Sequence, residues 1–390
     1  MVTSSPVDLV SAPPPQWSDL SATGRRVLLD LLVHGPRSRI RIAERLGLSR
    51  ASLTRVAREL VDSGVVLQGD TLPSATRGRP AEELQLRPQA AHFIGVKITA
   101  ERIYVVATDL AAEVVDEISA PLISPDVETV VDEISAAAAS LIRRFGNVSA
   151  VGVGLAADVL RRDGEAVVKA SPLLGWSEPI PLPRLLEERI GLPITVTNDV
   201  HALTAAHHWF GSGVNHRSLV VYGVGAGIGS GAVIDDELVE GANGRSGRVG
   251  HTRVGGTGRV CANGHTDCVH SFVSMPAIEL NAGVAPGEYP LAVARARAGG
   301  VREAEAFSSA AYALGAVVAE SVNLFDPELV SLMGEGLDML DLAPGAYRDG
   351  LVAHLEQVPI ESVRTERPPF TFGLYARGAS ATAIRDLLSE

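Results

Sequence analysis

Every second residue from Gly223 to Gly231 is glycine, inside a run without charge that spans 218–234. Glycine weakens a helix, and a spacing of two repeats along one face of an extended strand. The run is therefore a turn-rich hairpin and not a membrane helix, although it is the best candidate for one in the chain. The N-terminus, MVTSSPVDLVSAPPPQ, has no basic segment followed by an apolar one. A cytoplasmic protein with no membrane partner is expected, with residues 1–17, rich in Pro and Ser, as a disordered tail.

Strands alternate with helices on both sides of the hairpin. Strands are predicted at 92–98, 102–109 and 113–117, a helix at 127–145, a strand at 148–155, a helix at 182–190 and a strand at 194–197. The period restarts with strands at 218–222, 229–234 and 238–239, a helix at 303–323 and a strand at 329–333. Two α/β lobes with a cleft between them follow, about 89–200 plus the C-terminal helix and about 201–375. Neither G-x-G-x-x-G nor G-x-x-x-x-G-K-[ST] occurs, which excludes the commonest nucleotide loops.

The net charge of −12 argues against a chain coated in nucleic acid, but it hides an asymmetry. Residues 1–90 hold 12 Arg against 9 acidic residues, leaving 22 basic against 37 acidic residues in the rest. Seven of those Arg lie between Arg37 and Arg58, with Glu44 as the single acid. The same segment reads as helix, glycine turn, helix: Ser38 caps a short helix, Gly47-Leu48-Ser49 turns, and Ser49 caps a third helix over 50–62. Leu53, Val56, Ala57 and Leu60 form its buried stripe, which leaves Ser49, Arg50, Ser52, Thr54, Arg55 and Arg58 as candidate DNA contacts. Strands at 65–67 and 83–86 flank a loop carrying Arg77-Gly78-Arg79-Pro80, so a winged helix-turn-helix over 18–88 is predicted. Arg77 and Arg79 are the wing candidates for a narrow minor groove.

Several motifs in order resemble the ROK family of repressors, open reading frames and sugar kinases. The run GVGAGIGSGAVIDDELVEGANGRSGRVGH, ending at His251, is similar to the family's second phosphate hairpin and its Gly-x-x-Gly-His segment. Thr197-Asn198-Asp199 is similar to its catalytic Asn-Asp, and 261–268 to its zinc loop. The resemblance covers nearly the whole chain and implies an α/β fold: a two-lobed, actin-like and hexokinase-like body over 89–390, preceded by the winged helix.

The departures from the family's kinases bear on function. Where the kinases carry Gly-Ile-Asp-Ile-Gly-Gly-Thr-Lys, this chain has Gly95-Val96-Lys97-Ile98-Thr99-Ala100-Glu101-Arg102. Two close-approach glycines gain side chains, the metal-facing Asp becomes Lys, and Glu101 adds an anion. Ala226 replaces a phosphate-binding Thr, and Gly334-Glu335 a Gly-Gly. No ATP and no phosphoryl transfer are expected, which leaves Asp199 a vestigial base and no catalytic residue.

At the matched sugar positions stand Leu173, Arg248 and His270, a cation and an imidazole in place of two carboxylates. The implied ligand residues are Asn198, Asp199, Arg248, His251 and His270, suited to a phosphosugar or sugar acid. Asn198 and Asp199 also read as ordinary helix caps, and Arg248 as a partner of a body carboxylate. The zinc loop keeps His251, Cys261 and Cys268, has Asn263 in place of one Cys, and offers His265 or His270 as a fourth ligand for one structural zinc.

The expected protein is a sequence-specific DNA-binding transcriptional regulator, a repressor without kinase activity. It acts as a homodimer or dimer of dimers on a palindromic operator and answers to a carbohydrate-related effector. The alternatives are a bifunctional sugar kinase that keeps Asp199 as base, and a regulator controlled by a protein partner.

Overall fold

The computed structural model describes residues 15, 17–68, 83–162 and 165–389. The wing loop with Arg77 and Arg79 lies outside the described residues, as does nearly all of the predicted tail.

Local capping sets the N-terminal elements α1 (Ala22–His34), β1 (Arg37–Ser38), α2 (Arg39–Leu46), α3 (Arg50–Asp62), β2 (Val66–Gln68) and β3 (Glu83–Leu86). Ser21, Ser38 and Ser49 each accept a hydrogen bond from an amide in the first turn of the helix they precede. Gly47 turns the chain out of α2 at φ 64°, a left-handed conformation that glycine adopts without strain. Leu28, Leu31, Ile42, Leu53, Val56 and Leu60 face inward and are buried. The strands pair antiparallel in the order β1-β3-β2, one strand more than the sequence suggests, because Arg37 and Ser38 pair with Leu84 and Glu83. This head belongs to the same compact unit as the sheet that follows it. The Trp17 ring packs 6.1 Å from that of Phe93, and the Leu110 amide donates to the Pro88 carbonyl.

The first body segment runs β4 (His92–Ile98), β5 (Arg102–Asp109), β6 (Val114–Pro121), α4 (Val127–Phe145), β7 (Val148–Leu155), β8 (Asp158–Arg162), β9 (Glu165–Ala170), α5 (Leu182–Ile190) and β10 (Ile194–Asn198). It continues with α6 (Asp199–Phe210), β11 (Leu219–Val224), β12 (Ile228–Ile234), β13 (Glu237–Leu238), α7 (His270–Val273), α8 (Met275–Ala282), α9 (Tyr289–Arg297) and α10 (Val301–Phe325). The chain ends with β14 (Leu329–Met333), α11 (Met339–Leu342), α12 (Pro344–His354), β15 (Thr365–Glu366) and α13 (Gly373–Ser389).

Two five-stranded sheets result, β10-β7-β4-β5-β6 and β15-β14-β11-β12-β13. Each is an antiparallel three-strand meander whose first strand, β4 or β11, also pairs in parallel with a later one. The shared strand order is the repeat that the alternating pattern implies. In the first sheet, Gly95 and Gly152 lie where any β-carbon would overlap the carbonyls of Ala376 and Ala379, so α13 packs backbone to backbone on β4 and β7. In the second compact unit, residues 158–161 and 198–375, α10 is the central helix, with Phe307, Leu314 and Val318 fully buried. Among the described residues, no helix is long and apolar enough to cross a membrane.

Candidate functional site

The α3 face is set by its cap and its buried stripe. Ser49 Oγ accepts from the Ser52 amide at 3.1 Å, so the Ser49 hydroxyl is engaged in starting the helix. With Leu53, Val56, Ala57 and Leu60 buried, Arg50, Thr54, Arg55 and Arg58 are exposed and Ser52 is half-buried. Thr54 Oγ1 donates back to the Arg50 carbonyl at 2.8 Å. Among the described residues, Arg50, Arg55 and Arg58 have no ion-pair partner. Three such guanidinium groups on one capped helix face have the chemistry to hold phosphates and to bond base edges. Arg39, Thr54, Arg58, Val61 and Gln68 line a cavity of about 260 Å³ beside this face. Sequence reasoning missed Glu59, whose carboxylate accepts from the Ser21 amide at 2.6 Å and the Ser21 hydroxyl at 2.9 Å, tying α1 to α3.

The two hairpins matched to phosphate loops are closed, the first by a side chain of its own turn and the second by a carboxylate from beyond β14. In the β4–β5 turn Thr99 Oγ1 accepts from the amides of Glu101, at 3.3 Å, and Arg102, at 2.9 Å, and donates to the Arg102 carbonyl. The amides that a glycine loop would offer to phosphate are thus consumed internally. Lys97, in place of an Asp, is buried. In the β11–β12 turn the Gly225 amide donates to the Gly227 carbonyl at 2.8 Å, and the Glu335 carboxylate lies against the Gly225 α-carbon.

Asn198 and Asp199 sit at the start of α6 as caps. Asn198 Oδ1 accepts from the amides of Val200, at 3.0 Å, and His201, at 3.2 Å, and Asp199 Oδ1 also accepts from Val200. Asp199 is buried, and burial together with Asp199 and Glu335 holds the Tyr375 phenol well above its ordinary range. Arg248 pairs with Asp158, as does Arg245 at 2.9 Å. That carboxylate is nearly buried while both guanidinium groups stay half-exposed. No local signal in the sequence announces Asp158, 90 residues from Arg248. His251 is lowered by burial and by the neighbouring His265, His270 and Arg248, and its ring stacks on that of His270 at 5.9 Å.

His251 also joins the metal-type donors. Cys261 Sγ lies 3.9 Å from His251 Nδ1 and 3.7 Å from His265 Nδ1, and the three ligand atoms all fall within 4.8 Å of one another. The S···N edge of a tetrahedral zinc site is about 3.6 Å for ordinary bond lengths, so these donors fit zinc in type and spacing. Burial pushes the Cys261 thiol up, but amides of Asn263 and His265 and the side chains of His265 and Cys268 outweigh it and bring it down to about 7. Cys268 is buried and interacts with Cys261, with no disulfide between them. Asn263, in place of a Cys, reaches His251 Nε2 at 3.2 Å.

The ROK family pattern matches residues 93–364. The DNA-binding transcriptional repressor Mlc of Escherichia coli is 24% identical over 358 residues, covering 86% of this chain and 87% of the repressor. The crystal structure of a ROK family transcriptional regulator, a homolog of the Escherichia coli protein, superposes with a TM-score of 0.79 at 21% identity, over 94% of this chain and 96% of that one. A ROK family glucokinase from Streptomyces griseus, solved with glucose and AMPPNP, matches at 27% identity and a TM-score of 0.64, over 76% of this chain and all of the kinase.

Proposed function

The chain belongs to the ROK family, and from that premise we infer that it is a DNA-binding transcriptional regulator of the repressor kind without kinase activity. The observation that carries the reading is the α3 face, where Arg50, Arg55 and Arg58 are exposed and have no ion-pair partner among the described residues. The kinase alternative is disfavoured by the turn that Thr99 closes and by the Glu335 carboxylate at the other hairpin. Two copies related by a two-fold axis would present two α3 helices to a palindrome in successive major grooves, with Arg77 and Arg79 serving the minor groove. Cytoplasmic residence goes with that role.

The effector is a phosphosugar or sugar acid at Asn198, Asp199, Arg248, His251 and His270. Two guanidinium groups share the carboxylate of Asp158, so part of their N–H donors is left for an anionic group to engage, although Asp199 balances the second positive charge. A structural zinc would be held by His251, Cys261 and His265, with Cys268 as the fourth donor, and would fix the loop between β13 and α7.

The test begins with genome-wide recovery of bound DNA, followed by affinity measurement on the recovered operator. Arg50→Ala and Arg55→Ala are each expected to cost about 1–3 kcal/mol where they read a base. Unchanged operator affinity in both variants would remove the helix assignment.

A further inference from the structure

A second cavity, of about 830 Å³, opens among α7, α10, α12 and the loop after His251. It is lined by none of the residues assigned above to DNA, effector or metal. Its polar lining comes from Arg253 on the loop, Ser308, Ser309 and Tyr312 on α10, and Asp349 on α12. The α10 residues share a helix face at i, i+1 and i+4, and the floor is formed by Phe272 with small neighbours such as Gly255 and Ala313. The remaining polar side chains are committed elsewhere: Thr257 Oγ1 donates to Asp267 at 3.1 Å, and His354 lies 3.4 Å from Glu320.

Among the described residues, the guanidinium of Arg253, the carboxylate of Asp349 and the hydroxyls of Ser308, Ser309 and Tyr312 have no hydrogen-bond or ion-pair partner. One group only donates, one only accepts, and three do both. We propose that this cavity is a second ligand site, and that it takes a neutral polyhydroxylated molecule, a mono- or disaccharide. Its charges cancel, +1 from Arg253 and −1 from Asp349, so an anion gains nothing net. An apolar ligand would strip water from five polar groups and return no hydrogen bonds. A hydroxyl-rich ligand answers all five, since each of its OH groups donates and accepts, while its C–H faces suit the edges of Phe272 and Tyr312. The volume lies within the range of small-molecule sites and exceeds what one sugar ring fills.

The site is tested by calorimetry on the full chain with D-glucose, D-xylose, maltose and cellobiose as probes. At least one is expected to bind, with affinity reduced about tenfold or more in Arg253→Met/Asp349→Ala, two solvent-exposed positions whose change leaves the core intact. Asn198→Ala, at the other candidate site, should leave that binding unchanged, and Tyr312→Phe should weaken it by a smaller factor. Absence of binding by every probe into the millimolar range overturns the proposal. Binding abolished by Asn198→Ala but indifferent to the double variant also overturns it, as does an association state that changes with Asp349→Arg and shields Tyr312 from solvent without sugar.

Discussion

The carboxylate of Glu335 lies against the α-carbon of Gly225, so closely that a β-carbon on that glycine would overlap it. A glycine hairpin that admits phosphate needs open space and free amides at its turn. Here an anion fills the space. Wild-type protein should release no ADP from ATP with any sugar. Glu335→Ala should improve pyrophosphate binding only a few-fold, the ~1 kcal/mol scale of one partly solvated charge contact, and still yield no turnover because Thr99 keeps the other hairpin closed. Equilibrium dialysis and a coupled ADP assay measure the two effects; sugar-dependent ADP release by the wild type would reinstate the kinase reading.

Operator binding should weaken steeply as salt rises, since 37–58 holds seven Arg against one acid and leaves Arg41, Arg50, Arg55 and Arg58 exposed. Arg58→Ala, acting as a phosphate contact, should lower affinity alike for operator and random DNA. It should also reduce the slope of log affinity against log salt by roughly 1. Fluorescence anisotropy titrations at several salt concentrations give both numbers, and an unchanged slope would place Arg58 away from the duplex.

Gly95 and Gly152 should tolerate no side chain. At each, a β-carbon would meet backbone of α13, which cannot turn aside as a flexible side chain can. Gly95→Ala and Gly152→Ala are expected to destabilise the protein by about 1–3 kcal/mol or more, the usual cost of overpacking. Urea denaturation followed by circular dichroism reads the shift in midpoint.

Stability should fall on mild acidification. His201, His207 and His208 all lie in α6, and burial holds each below its ordinary value in spite of acidic neighbours. The folded state keeps them neutral while the unfolded chain takes up protons near pH 6.5, so their contribution is complete above that value and is lost as pH falls below it. Glu366 adds the same sign at lower pH. Burial alone would raise it, but hydrogen bonds from Ser212 and Ser331 and the nearby His207 hold it below its ordinary value, so its contribution disappears as it protonates. Thermal midpoints should drop between pH 7 and 5, and less steeply in His207→Gln. A flat profile would show that these imidazoles gain protons without cost.

The features legible in the sequence are those written in neighbouring residues. Ser38, Gly47 and Ser49 mark helix ends within four positions of the amides they serve, and the α3 stripe repeats with the helical period. The repeated sheet order also shows as alternation along the chain. What stayed hidden depends on distant partners. Nothing near Glu59 points to Ser21, and nothing near Arg248 points to Asp158. Helices α8, α9 and α12 are short and carry weak periodicity, so the strands around them give the clearer signal. The β6 strand runs to Pro121, beyond its predicted end, because Arg102 and Ile103 of β5 pair with Pro121 and Ala120.

The metal prediction turns on the same loop. His251, Cys261 and His265 place three donors within 4.8 Å of one another, with both S···N distances near a tetrahedral edge, and Cys268 interacts with Cys261. Three ligands retain zinc poorly, so tight retention requires Cys268 to turn its sulfur toward the ion. Protein purified without chelator should contain close to one zinc per chain by elemental analysis. Cys261→Ser and Cys268→Ser should each lose most of it, whereas Asn263→Ala should not. Chelation should then leave the midpoint of α3-dependent DNA binding little changed while exposing residues 252–269 to protease. Full metal content in Cys268→Ser would instead assign the fourth position to His270, the imidazole stacked on His251.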